Sequence, residues 1–379
     1  MIDALRGLIE WVPLGLPAFL FVITVVVFFH ELGHFSVARY FGVKVETFSI
    51  GFGPEVVGWT DKKGTRWKIS WLPLGGYVKF FGDADAASRP DREGEKAMSD
   101  KERSESLLGK PVFQRIAVSA AGPFANFILA IVIFTALFSA FGRVSIPPVV
   151  GAVLPGGAAL DAGIKAGDVI KAINGTPIDD FQKLPEIVSV SAGEDLAITL
   201  MRGGQSLIVH VTPRLMSLKD PFGDLNKTPA LGIQLSTKVK PVHVPLNPVQ
   251  AFGAACGQTW DIITGSLRGL RQMVLGRVDS SQLTGTLGVA RASQKVAQQG
   301  LLALISLAAV ISVSLGLVNL FPIPVLDGGH LLYYGCEAVL GRPLGERVQE
   351  AGFRLGLVLI VGLVIFSVWN DMAHHLNLF

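Results

Sequence analysis

At 379 residues the chain has room for two or three soluble domains, yet half of it is hydrophobic and only 17% is charged. The mean hydropathy is +0.49, and together these values exclude both a simple soluble enzyme and a disordered chain. A net charge of +3 without a Lys/Arg block is too small to imply nucleic acid, and no nucleic-acid partner is expected. Cys256 and Cys336 lie in different kinds of segment and form neither a metal knuckle nor an expected disulfide.

No Asp, Glu, Lys or Arg falls between Val12 and Phe29, Ile116 and Gly142, Val296 and Leu326, or Leu355 and Asn370. A bilayer core takes about 20 residues at ~1.5 Å each, which three of these stretches supply directly. The fourth reaches that length if it starts at Ala351 or continues past Asp371. The fold class is therefore a multi-pass α-helical membrane protein of about four transmembrane helices, at residues 1–40, 111–142, 296–330 and 351–375. The first apolar stretch has no positively biased flank and no small-residue cleavage site, so it reads as a retained helix rather than a signal peptide. Residues 41–110 are rich in Lys and Arg, whereas the preceding tail offers only Arg6. The positive-inside rule puts that loop in the cytoplasm and the N-terminus outside. Parity then leaves 143–295 outside and returns Arg342, Arg347 and Arg354 to the cytoplasm.

Within the inside loop, Thr65–Phe81 alternates polar Arg66, Lys68 and Ser70 with Trp67, Ile69 and Trp71. It then passes Gly75-Gly76 into Tyr77–Phe80, which predicts a membrane-associated β-hairpin turning at the two glycines. Residues 83–106 are mixed-charge with almost no large apolar side chains and are expected to be mobile. The outside segment holds short apolar runs broken by Gly-Gly, Ala-Gly and Asn-Gly, which predict an inserted β-rich module over 145–215. Its run PGGAALDAGIKAGDVIKAING is similar to a PDZ domain of the bacterial, protease-associated type. That resemblance implies a strand–helix groove for an extended peptide or chain end. Residues 216–295 read as a linker, with Pro221–Pro248 extended, followed by a helix over Ala251–Val274. The helix either lies on the membrane surface or packs on the β module.

The chemistry sits at the end of the first span. His30-Glu31-Leu32-Gly33-His34 is an H-E-x-x-H motif on a helix. Residues four apart are about 40° apart around a helix, so both imidazoles can share one metal, and Glu31 can serve an attacking water as general base. Two His and a Glu inside an apolar span are costly and mark function. Zinc in catalytic sites takes a third protein ligand. Asp327, in the polar cluster Asn319–His330 at the inner end of the third span, lies in the same leaflet and is preferred; His330 is its competitor. His210 and His243 fall on the outer side, and His374 and His375 near the outer end of the last span. Asn126, in AGPFANF, reads as an interhelical hydrogen bond.

HELGH in a first span, GFGP at Gly51–Pro54, a PDZ-like insert and NLFPIPVLDGGH near the C-terminus together resemble the site-2 protease family of intramembrane zinc metalloproteases. The resemblance covers essentially the whole chain and is nearest the bacterial regulator of sigma-E protease branch, although this chain has room for one PDZ module rather than two. It implies a metalloendopeptidase of the bacterial inner membrane with Zn2+ held by His30, His34 and Asp327 and with Glu31 as catalytic acid/base. It also implies a role for Asn319 at the substrate backbone; the residues themselves equally allow Asn319 to cap the helix interrupted by Pro322. The implied substrates are single-span membrane proteins, either anti-sigma factors or signal-peptide remnants. A strand edge at Gly51, Gly53, Gly75 and Gly76 would bind the extended substrate. The rival readings are a non-catalytic membrane PDZ scaffold and a zinc transporter.

Overall fold

A computed structural model describes residues 2–83, 98–219, 225–236, 239–276 and 285–376. Most of the charged stretch expected to be mobile, residues 84–97, lies outside the described residues. The chain divides into two compact units, one of Met1–Ile133 with Gly285–Phe379 and one of Phe134–Thr284.

The first unit opens with α1 (Ile2–Tyr40), which runs on into β1 (Val45–Thr60) and β2 (Arg66–Phe80). A short helix α2 (Asp100–Glu105) and the long α3 (Val112–Phe141) follow. Pro13–Tyr40 and Val112–Phe141 are long and apolar enough to cross a membrane, as are Leu301–Asn319 and Arg347–Trp369. With a β-rich second unit, these four helices fit a membrane protein carrying an inserted β domain. Ala18, Val22 and Val26, each one turn apart on α1, pack against Leu304 and Ala308. Outward-facing Ile128, Val132, Val358 and Ile365 remain exposed. Such apolar faces are stable only in lipid or against a partner.

The hairpin differs from its expected form. Gly75 and Gly76 lie inside β2, and the reversal occurs between β1 and β2, where Asp61 Oδ1 accepts from the amides of Lys63 and Thr65 at 2.8 and 3.0 Å. The pair then folds on itself. Phe48 of β1 is registered with Val78 on one side and Trp67 on the other, and Ile50 with both Gly76 and Ile69. Trp67 is in turn registered with Trp59. The result is four short segments side by side, with Gly76–Phe80 at one edge. Phe48 is buried and stacks on Trp67 at 4.3 Å between ring centres, which seats the sheet against α1 through Phe35.

In the second unit, β3 (Arg143–Ser145), β4 (Val150–Val153), α4 (Ala158–Asp161), β5 (Val169–Ile173), β6 (Thr176–Pro177) and α5 (Lys183–Ser189) lead into β7 (Leu196–Arg202) and β8 (Gln205–Val211). A four-stranded sheet of order β6-β5-β7-β8 encloses Ile170, Ile173, Leu196, Ile198 and Leu200. Beyond it come β9 (Arg214–Lys219), β10 (Leu225–Ala230), β11 (Ile233–Leu235) and β12 (Val242–Val244). The stretch expected to be an extended connection thus carries strands. β11 pairs with β4 and β12 with β3, and Leu231 joins the core. The strands are too short for an alternation signal, and only pairing with distant partners creates them.

The helix expected over Ala251–Val274 is α6 (Pro248–Val274), capped by Asn247, whose side chain accepts from Gln250 N. Its buried Gln272 donates to Glu194 at 2.8 Å, fixing its end on the β domain, while Phe252, Trp260, Leu267 and Leu270 stay exposed. Of the two readings of this helix, packing on the β module is the one this contact supports.

The chain returns to the first unit through α7 (Thr286–Ala297), α8 (Leu301–Asn319), α9 (Asp327–Leu340) and α10 (Glu346–Leu376). Pro322 and Pro324 end the third span after Asn319, and helix resumes only at Asp327. Between them Val325 holds φ at 91°, a costly conformation for a β-branched residue.

Candidate metal centre

His30 and His34 project from one face of α1, and Asp327 arrives from the first turn of α9. His30 Nε2 and His34 Nε2 are 3.2 Å apart. Asp327 Oδ2 is 3.2 Å from His30 Nε2, and Oδ1 is 3.4 Å from His34 Nε2. For Zn–N and Zn–O bonds of about 2.0–2.1 Å, neighbouring donors of a tetrahedron are about 3.3–3.4 Å apart. The three donors therefore fit one face of a zinc tetrahedron. Neutral imidazoles and a carboxylate are also the right chemistry for that ion. Among the described residues, these three are the group of His, Cys, Asp and Glu side chains that could hold a metal. His330, the competing third donor, lines the same cavity but is not part of the cluster.

The two histidines are supported from behind by α3. His34 Nδ1 donates to the Val118 carbonyl at 2.8 Å, which leaves Nε2 free to ligate. His30 Nδ1 lies 3.3 Å from the side-chain amide of Asn126. Between Val118 and Asn126, one turn from each, stands Gly122. A Cβ there would lie 2.2 Å from His34 Nε2 and 2.8 Å from His30 Cε1, so only glycine leaves space for the donor atoms. None of this support comes from a recognisable motif. The carbonyl of Val118 and the absent side chain of Gly122 leave no trace in residue chemistry, whereas Asn126 was signalled by being polar inside a span.

A cavity of about 490 Å³ joins these groups. His30, Glu31, His34, Asn319 and Asp327 line it, as do Gly75 and Gly76 at the sheet edge. Asn319 Nδ2 comes within 3.5 Å of His30 Nε2, putting its amide beside the metal position. Gly51 and Gly53 sit within β1, outside the cavity lining, with Phe52 between them reaching the cavity instead. Alternation along the strand sends Phe52 to the opposite face from its two glycine neighbours. Gly76 is packed close: a Cβ there would come 2.8 Å from the Ser49 carbonyl and 3.3 Å from Glu31 Cγ.

Farther from the donors, Arg115 at the start of α3 pairs with Glu337 of α9, with Nη1 2.9 Å from Oε2, and its guanidinium lies over the Tyr334 ring. This ties the helix that supports the histidines to the helix that carries Asp327.

Comparison with known proteins agrees with the geometry. Peptidase family M50 matches residues 18–363. A protein of Agrobacterium fabrum bearing the name "Putative zinc metalloprotease" is 45% identical over 94% of each chain. One of the same name from Rhizobium meliloti is 42% identical over 94% of this chain and 96% of its own. The metalloprotease MmpA of Caulobacter vibrioides is 38% identical over 95% of this chain and 96% of its own. The protein is thus an integral membrane metalloendopeptidase that uses zinc, and neither the scaffold nor the transporter reading is retained. The chain belongs to peptidase family M50, the site-2 proteases.

Proposed function

We propose that this metalloprotease cleaves peptide bonds within the transmembrane segments of single-span proteins, with His30, His34 and Asp327 as zinc ligands and Glu31 as general base and acid. Support comes chiefly from one cavity that holds the three donors, Glu31 and a strand edge, with His30, Glu31 and His34 on a helix apolar enough to cross a bilayer. Zinc at this position supplies Lewis-acid polarisation of the scissile carbonyl and activation of water. Glu31 removes the proton from the attacking water and delivers it to the departing amine. Asn319 donates to the substrate carbonyl oxygen as negative charge develops there.

A transmembrane helix hides its amides in its own hydrogen bonds, so the substrate must be extended before it can react. Gly75–Val78, which lines the same cavity as Glu31, offers backbone groups to such a segment by strand addition. Glu31→Gln is expected to keep the zinc stoichiometry of the purified protein while lowering cleavage of a tagged single-span substrate by about 10²–10⁴-fold. Normal cleavage by that variant would sink the assignment.

The basic inside loop and the charge at Arg342, Arg347 and Arg354 support an inner-membrane enzyme of four spans, with its cavity toward the cytoplasm and its β domain outside. The β domain, with its short helices and small strands, is read as a PDZ module that screens substrates by a chain end or by bulk. Anti-sigma factors and signal-peptide remnants, already trimmed outside, are substrates such a filter would admit. Trapping proteins on the Glu31→Gln variant in native membranes tests this. Recovery of untrimmed multi-span proteins alone would count against it.

A further inference from the structure

We infer that Asn126 is a positioning residue that sets the zinc-binding tautomer of His30, an inference that rests on His30 being a ligand. His30 points Nε2 at the other two donors, 3.2 Å from each. For that nitrogen to offer its lone pair, a neutral imidazole must carry its proton on Nδ1, and a buried Nδ1–H needs an acceptor. Asn126 is wholly buried and is the group facing Nδ1, at 3.3 Å through its amide nitrogen. Its Oδ1 is buried and has no partner among the described residues.

With the nitrogen facing the ring, the amide donates to Nδ1 and the ring proton belongs on Nε2, where it meets Asp327 Oδ2. That arrangement blocks ligation. Turning the carboxamide end for end presents Oδ1 to Nδ1–H, gives the buried oxygen a donor, and leaves the Nε2 lone pair for the ion.

His34 needs no such device, because its Nδ1 faces the Val118 carbonyl, which can only accept. Val118, Gly122 and Asn126 recur at every fourth residue, so one face of α3 holds the first ring, clears room for both, and sets the tautomer of the second. Ser312 of α8 donates to the Asn126 backbone carbonyl at 2.9 Å, holding that turn of α3 in place.

The test uses the full-length protein in detergent and measures zinc affinity by chelator competition for wild type, Asn126→Leu, Asn126→Asp and His30→Ala. Asn126→Leu keeps the branched shape and removes the acceptor; its affinity should fall by about 10–100-fold. Asn126→Asp can only accept, so it should bind zinc at least as tightly as wild type. A structural role for the amide NH2 predicts the reverse for Asp, and that result overturns the proposal whether or not the Leu variant folds. Wild-type affinity in Asn126→Leu also overturns it. His30→Ala separates the two levels: unchanged zinc binding there would refute the ligand assignment and the role of Asn126 with it, whereas lost binding there beside wild-type affinity in Asn126→Leu refutes the role of Asn126 alone.

Discussion

The smallest decisive feature is a missing methyl group. Gly122 stands where any Cβ would fall 2.2 Å from His34 Nε2, within the space the ligating nitrogens share. Backbone on both helices is fixed by close packing, since Gly33 of α1 is equally tight against the Ala121 carbonyl. Gly122→Ala is therefore expected to lower zinc affinity by about a hundredfold or more, measured by chelator competition, with the helical circular dichroism little changed. The ligand candidates His30, His34 and Asp327, and the candidate base Glu31, were legible in the sequence because their chemistry is carried by side chains in motifs: three of them on one helix, and Asp327 just after two prolines. What surrounds them was not. A carbonyl at residue 118 and an absent side chain at 122 acquire meaning only when α3 crosses α1.

Among the elements, β2 shows how a sound local signal can be assigned to the wrong place. Gly75-Gly76 has the composition of a tight turn, yet these residues stay in a strand because the turn forms where Asp61 can accept from the Lys63 and Thr65 amides. The glycines serve close approach instead. Gly76→Val would push the edge segment off the Ser49 carbonyl and Glu31 Cγ. Its expected effect is loss of most cleavage with zinc content preserved, read by a substrate assay beside metal analysis. Retained activity would remove the strand edge from the mechanism. The prolines at 322 and 324, by contrast, mark a break in the third span that the sequence displays openly, and the structure uses it to start a new helix at Asp327.

Across the whole molecule, uncharged runs announced the four long apolar helices, since the cost of charge in lipid leaves a plain mark in composition. The β domain was legible as β-rich, but its strands β11 and β12 depend on partners some 80–100 residues earlier and so left no local pattern. This domain also has its own acid sensitivity. Arg202 donates to both oxygens of buried Asp168 and holds its carboxyl below the ordinary carboxylate range. A depressed folded-state pKa contributes stability above the unfolded value of about 3.9, and that contribution is lost as pH falls through the folded value. Arg202→Met should cost about 1–3 kcal/mol at neutral pH. With the stabilising partner gone, the difference from wild type should shrink under acid, as followed by hydrogen exchange in the β7 strand.

The break between α8 and α9 has one further consequence. Asp327 is close to three hundred residues from His30 along the chain, so an ion bound by both is a cross-link closing a loop of most of the protein's length. Closing a loop of that size restrains the unfolded chain far more than any turn does, and metal binding thereby becomes folding free energy. Stripping zinc should leave α1 and α3 clasped through their glycines while hydrogen exchange rises first across Leu320–Gly329. The ion would then fasten the last third of the protein to its first helix, as well as serving the reaction.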